Sequence, residues 1–208
     1  MAFPVMLLLG FLLHPNLLSF ELVTDAAAWA EEFRGNATFH LGHLIVLFTV
    51  PPILVVGARC LRFDRGRGAA LIFAGGIAGM FGAFILAVDK GALTLVLSAF
   101  DSLPDAEFMA IYPALQALLD RAGLLGIVHL LVLLPLGFAV QAVGLARAGV
   151  IEKWTAGVIV AGLLMLLAGD IEIITSVGAA LMCVGYVPMG IRELRGQLTP
   201  AGGYMSEM

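Results

Sequence analysis

The stretch AALIFAGGIAGMFGAFILAV, Ala69 to Val88, runs twenty residues without a charged side chain. At 1.5 Å of rise per residue, a helix of that length covers the roughly 30 Å hydrocarbon core of a bilayer. Lipid offers no partners to backbone N–H and C=O groups, so the stretch must satisfy them internally, as a helix does. The rest of the chain reads alike, with 61% hydrophobic residues, 12% charged residues and a mean hydropathy of +1.04. That balance excludes a soluble globular domain. The fold class it predicts is all-α, a polytopic membrane protein.

Outward from this stretch, the apolar runs predict a six-transmembrane-helix bundle. Its spans are Phe3–Val23, Thr38–Cys60, Ala69–Phe100, Gly123–Arg147, Thr155–Gly169 and Ile173–Ile191. The third is longer than a bilayer requires, which predicts a helix tilted or broken near Asp89. The 37 residues from Thr155 to Ile191 would make about 55 Å of helix, too long for one span and short for two. A turn is therefore placed at Gly169-Asp170-Ile171-Glu172, the one polar break available there. Residues 1–198 then form a single transmembrane domain, followed by a short cytoplasmic tail, 199–208.

Orientation follows from the basic residues. Arg59, Arg62, Arg65, Arg67, Arg147, Lys153, Arg192 and Arg195 fall on one side, against Arg34, Lys90 and Arg121 on the other. Eight against three puts the first set, and both termini, in the cytoplasm of a multi-pass protein of the cell membrane. Most acids lie opposite, so the net charge of −4 describes a dipolar chain and not one built for a basic partner. The cations are dispersed at membrane edges, unlike a nucleic-acid footprint, so no nucleic acid is expected as a partner. Cys60 and Cys183 make no Cys-x-x-Cys pair, and no disulfide is expected between them.

Two outer connections carry helical patterns. Trp29 and Phe33 share a face of Asp25–Arg34 and predict an interfacial anchor. Ser102–Asp120 places Phe108, Ile111, Tyr112, Leu115 and Leu119 at helical spacing, interrupted by Pro113. That segment reads either as an amphipathic rest on headgroups or as a lid over a site.

The second and fourth spans resemble each other: His43-Leu-Ile-Val-Leu ending at Arg59, and His129-Leu-Leu-Val-Leu ending at Arg147. The spans that follow climb to Asp89 and to Asp170. A parallel repeat of two helix hairpins, spans 2–3 and 4–5, would bring these four residues to one layer near the outer boundary. At helical rise His43 lies about 24 Å and His129 about 27 Å above the Arg that ends each helix.

Ionisable groups near a membrane interior are costly and mark candidate sites. His43, Asp89, His129 and Asp170 form a donor set suited to zinc, iron or manganese, with His40 or Glu172 as the catalytic proton-transfer group. This predicts a metal-dependent enzymatic or redox site acting on a small or lipid-like molecule. Other readings stay open. His43 and His129 on facing helices could be the axial ligands of a b-type haem. The acids, the histidines and the Asp89-Lys90 pair could serve an ion- or proton-coupled transporter or channel, although the cytoplasmic halves offer little besides Gln141. A non-catalytic accessory subunit is the remaining reading, partnered by a homo-oligomer or a membrane complex. Within the first span, His14-Pro15-Asn16 fits it, with polar neighbours satisfying a carbonyl that proline frees.

In its His43 at the head of the second span, its Arg65-Gly66-Arg67-Gly68 turn, and its Ala148-Gly149 with Trp154 before the fifth span, the chain resembles uncharacterised bacterial six-span inner-membrane proteins. The resemblance implies a fold type and no established activity.

Overall fold

The computed structural model describes residues 2–20, 22–63, 66–169 and 171–198. Among the described residues every regular element is helical. Four helical stretches are long and apolar enough to cross a membrane: Ala37–Phe63, Ala69–Asp101, Tyr112–Arg147 and Glu172–Leu194. Two shorter apolar helices, Ala2–Leu12 and Lys153–Ala168, lie beside them.

Helix α1 (Ala2–Leu12) stops well short of Val23. Pro15 has no N–H to donate to Phe11, so the α pattern ends and turn bonds from Leu13 and His14 close the last carbonyls. The expected first span is corrected accordingly: past Leu12 its described residues form turns and irregular chain. Helix α2 (Ala26–Phe33) is capped by the Asp25 carboxylate, which accepts from the Ala28 N–H at 2.9 Å. Helices α3 (Ala37–Phe48) and α4 (Val50–Cys60) form one stretch broken at Thr49, because Pro51 and Pro52 leave Leu47 and Phe48 without i+4 donors. The Thr49 hydroxyl turns back to donate to the Val46 carbonyl at 2.5 Å.

Helix α5 (Ala69–Asp101) is unbroken over 33 residues and passes Asp89 without interruption. Of the two expectations, the break is therefore set aside. Its length, about 50 Å, exceeds a bilayer core, and α2, α6 (Asp105–Ala110) and α7 (Tyr112–Leu119) gather at one end of it. Pro113 enters as foreseen, at the first turn of α7, and the pair splits at Ile111. A 3₁₀ stretch, Gly123–Val132, then leads into α8 (Leu133–Arg147). Helix α9 (Lys153–Met165) ends in a 3₁₀ turn through Ala168 and a bend at Gly169, whose φ is 62°. Helix α10 (Glu172–Leu194) follows, so the turn falls where the polar break placed it.

Two apolar cores result. The larger joins Phe3, Leu7, Ile72, Phe138, Leu163 and Met182 along the long helices. It depends on the close approach of α5 and α8: a Cβ at Gly137 would stand 2.2 Å from the Gly79 nitrogen. Such small-residue contacts let apolar helices gain dispersion energy where lipid gives no hydrophobic drive. The smaller core forms a cap at one end, with Trp29, Phe33, Phe39, Leu97, Phe108 and Leu115 buried together. Trp29 and Phe33 thus belong to this cap and not to a headgroup anchor. Arg34 fastens it, donating to Asp105 at 2.8 Å and to the Leu103 carbonyl at 3.2 Å, with its guanidinium 3.9 Å over the Phe108 ring. At the opposite end Arg59 and Arg62 reach Glu193, and Arg192 reaches Glu152.

Candidate functional site

Beneath the cap lies a cavity of about 540 Å³, within the range of small-molecule sites. Its apolar depth is formed by Leu7, Phe11, Val46, Leu86, Leu134 and Leu166. Polar groups enter from four places: His14 and Asn16 after α1, Glu32 on α2, His43 on α3, and Asp89 with Lys90 on α5. His129, Arg121 and, from the start of α10, Glu172 and Thr175 complete the polar lining.

The early end of α1 is what makes this possible. As the chain leaves the helix, His14 turns toward α10, and its Nε2 lies 3.7 Å from a Glu172 carboxylate oxygen. Thr175 donates from its hydroxyl to the Glu172 carbonyl at 3.1 Å and reaches the carboxylate at 3.5 Å. Two residues on, the Asn16 amide donates to Glu32 Oε1. Glu32 is only 8% exposed, and a carboxylate so placed is tolerable only with donors around it.

His43 is held by its own helix. Its Nδ1 lies 3.1 Å from the Phe39 carbonyl, and its ring lies 4.3 Å from that of Phe39, tilted by 33°. A carbonyl can only accept, so the proton sits on Nδ1, and in the neutral ring Nε2 keeps its lone pair. The His14 ring stands 6.0 Å from that of His43, centroid to centroid. His129 repeats the arrangement, its Nδ1 2.8 Å from the Gly126 carbonyl. Here the supporting backbone is 3₁₀ and not α, so the two copies differ locally. Asp89 and Lys90 pair at 3.4 Å.

Of the residues singled out from the sequence, His43, Asp89, His129 and Glu172 line one cavity. Asp170 lies outside the described residues. His40 is elsewhere: its Nε2 is 3.3 Å from Asp101 at the end of α5, and its ring is edge-on to Phe33 and Phe39. Asp101 also accepts from the Gly35 N–H at 2.6 Å, so His40 braces the cap and does not line the cavity. Among the described residues, no three His, Cys, Asp or Glu side chains are grouped as a metal ion would need.

The sequence reading took His14 and Asn16 as structural and did not single out Glu32. The first two were legible as the polar break Leu12-Leu13-His14-Pro15-Asn16, since a proline there ends a helix. Glu32 was legible by spacing, three residues after Trp29 and so on the same face of α2 as the buried aromatics.

Gln141, the polar residue of the other half, has a structural use. Buried on α8, its amide donates to the Gly57 carbonyl of α4 at 3.2 Å and to the Ile72 carbonyl of α5 at 3.5 Å. It ties three helices together and lines no part of the cavity. No protein-family model, curated protein or solved structure matches the chain.

Proposed function

We propose that the chain is a multi-pass protein of the cell membrane that receives a small or lipid-like molecule in the cavity under its extracytoplasmic cap. The observation that carries this is the cavity itself: a 540 Å³ space, apolar in its depth and polar at one end, in a bundle of bilayer-spanning character. An amphiphile has that distribution of chemistry. The six-span arrangement rests on α1 lying against α3 and α10, and on α9 lying between α8 and α10, as short spans within a bundle would. The excess of Arg and Lys at the end opposite the cap supports cytoplasmic termini.

Two experiments test this reading. Protein purified in mild detergent is extracted and its lipids weighed by mass spectrometry, expecting one amphiphile enriched over the membrane average. An extract matching the bulk membrane counts against a binding cavity. Orientation is tested by labelling Arg67→Cys and Ala122→Cys variants in intact cells, in a Cys60→Ala/Cys183→Ala background. An impermeant reagent should reach position 122 and not position 67.

A metal site for enzymatic or redox chemistry is the second reading, favoured by the anchored Nδ1 atoms of His43 and His129. Metal-ligating histidines commonly donate their other nitrogen to a carbonyl in this way. Asp89, and Asp170 beyond the described residues, would complete the set, with Glu172 positioned for proton transfer. Elemental analysis with an absorption spectrum of the purified protein decides it. Stoichiometric zinc, iron or manganese that vanishes in His43→Ala/His129→Ala supports a metal, and a Soret band supports haem. Neither leaves the amphiphile cavity alone.

A further inference from the structure

We infer that the amphiphile of this cavity is zwitterionic, with an anionic phosphate and a hydrogen-bond-donating amine, as in a phosphatidylethanolamine headgroup. This rests on the cavity reading above and names the ligand class for it.

The cavity is lined by charges of both signs, each from its own element. The carboxylates of Glu32 and Glu172, from α2 and α10, stand with Asn16 and His14 beside them. Lys90 next to Asp89 on α5, and Arg121 from the chain after α7, bring the cations. Lys90 is shared with Asp89, while Arg121 has no ion-pair partner among the described residues. A carboxylate accepts hydrogen bonds and a guanidinium donates them, so the lining offers acceptors to an ammonium and donors to an anion. A purely anionic head would meet the buried Glu32 and the half-buried Glu172, and like charge away from water is costly. A quaternary ammonium balances charge but offers the carboxylates no N–H.

The apolar depth then takes the upper part of an acyl chain. The cavity wall toward this depth includes the 3₁₀ stretch Gly123–Val132, in which no residue is buried. Its Leu125, Ile127, Val128, Leu131 and Val132 all line the cavity. A 3₁₀ run of that length is unusual and poorly bonded. It packs chiefly on α5, and its residues stay at least partly exposed on the outer face. We place the lateral entry of the chain there.

Trp29 lines the cavity and is buried, whereas Trp154, the second tryptophan, is exposed near the opposite end. A Trp154→Phe variant therefore makes Trp29 the sole reporter, and Trp29→Phe gives a bulk-lipid control. Both are placed in nanodiscs of unlabelled phosphatidylglycerol, doped with lipids brominated on the acyl chain. Brominated phosphatidylethanolamine should quench Trp29 at about tenfold lower mole fraction than brominated phosphatidylglycerol or phosphatidylcholine, a preference of about 1.4 kcal/mol. Trp154 should respond to all three alike. Glu172→Gln should abolish the preference over phosphatidylcholine, and the exposed Arg121→Gln should weaken quenching by phosphatidylethanolamine without loss of fold.

Equal quenching of Trp29 by the three lipids, beyond that of Trp154, overturns the headgroup assignment and leaves the cavity reading standing. Quenching of Trp29 no greater than that of Trp154 overturns both. Soluble glycerophosphoethanolamine should not compete; competition at comparable concentration would overturn chain-led entry from the bilayer.

Discussion

Replacing Gly82 with alanine should loosen the α5–α8 pair on which the cavity wall depends. A Cβ built at Gly82 stands 2.1 Å from the Leu134 nitrogen and 2.6 Å from its Cα, against the 3.4 Å at which ordinary contact begins. Both neighbours are backbone, so no side-chain rotation relieves the clash and the helices must part by roughly 1 Å. Overpacking of this kind costs about 1–3 kcal/mol, offset by the roughly 1 kcal/mol that alanine gains over glycine as a helix former. Because both atoms are backbone, the cost falls at the upper end of that range, and about 3 less about 1 leaves a net loss of about 2 kcal/mol, read as an earlier midpoint in SDS-induced unfolding in mixed micelles. Gly157→Ala is the matched control: it lies in α9 with nothing within 4 Å of the added atom. It should be neutral or slightly stabilising. Equal midpoints for Gly82→Ala and the parent, or an equal loss in Gly157→Ala, would mean that α5 and α8 do not meet as described.

The other expectations concern polar ties. Gln141→Leu removes the amide that reaches the Gly57 and Ile72 carbonyls, and should cost about 0.5–1.5 kcal/mol in the same unfolding assay; an unchanged midpoint would show that the tie contributes nothing. Asp101→Ala removes the acceptor of the Gly35 N–H and the partner of His40, and should raise amide hydrogen exchange in α2 and α6 while leaving α9 and α10 unchanged. Arg34→Lys keeps a charge near Asp105 but loses the planar group over Phe108, so the cap should exchange faster there too. Exchange at parental rates in either variant would remove the cap from the account of how the cavity is closed.

What the sequence could and could not convey follows from the range of the interactions. Spans are local properties: an apolar run of sufficient length announces itself, so the helix Ala69–Asp101 was legible without any partner, whereas Glu172–Leu194 was reached by dividing a longer run at its polar break. Length alone misled at the first run, where Leu18, Phe20 and Leu22 continue the apolar composition although the helix has ended at Leu12. There one missing N–H at Pro15 outweighs the apolar residues that follow, since hydropathy counts side chains and helices depend on backbone donors. The start of the fourth run was hidden for another reason: His129 stands in a 3₁₀ segment that no periodicity of three or four residues separates from an α-helix.

The site divides along the same line. His43, Asp89, His129 and Glu172 were found because each interrupts an apolar run, and depth could be counted from a fixed membrane edge. His14 and Glu32 were not, because their meaning lies in who meets them. His14 reaches Glu172 from the far end of the chain, and Asn16 reaches Glu32 only because α1 stops early. His40 errs the other way: it satisfies every local criterion for a site residue, yet Asp101 claims it for the cap. A polar residue in a membrane helix thus announces a cost, and only the fold decides whether a ligand or a structural partner offsets it.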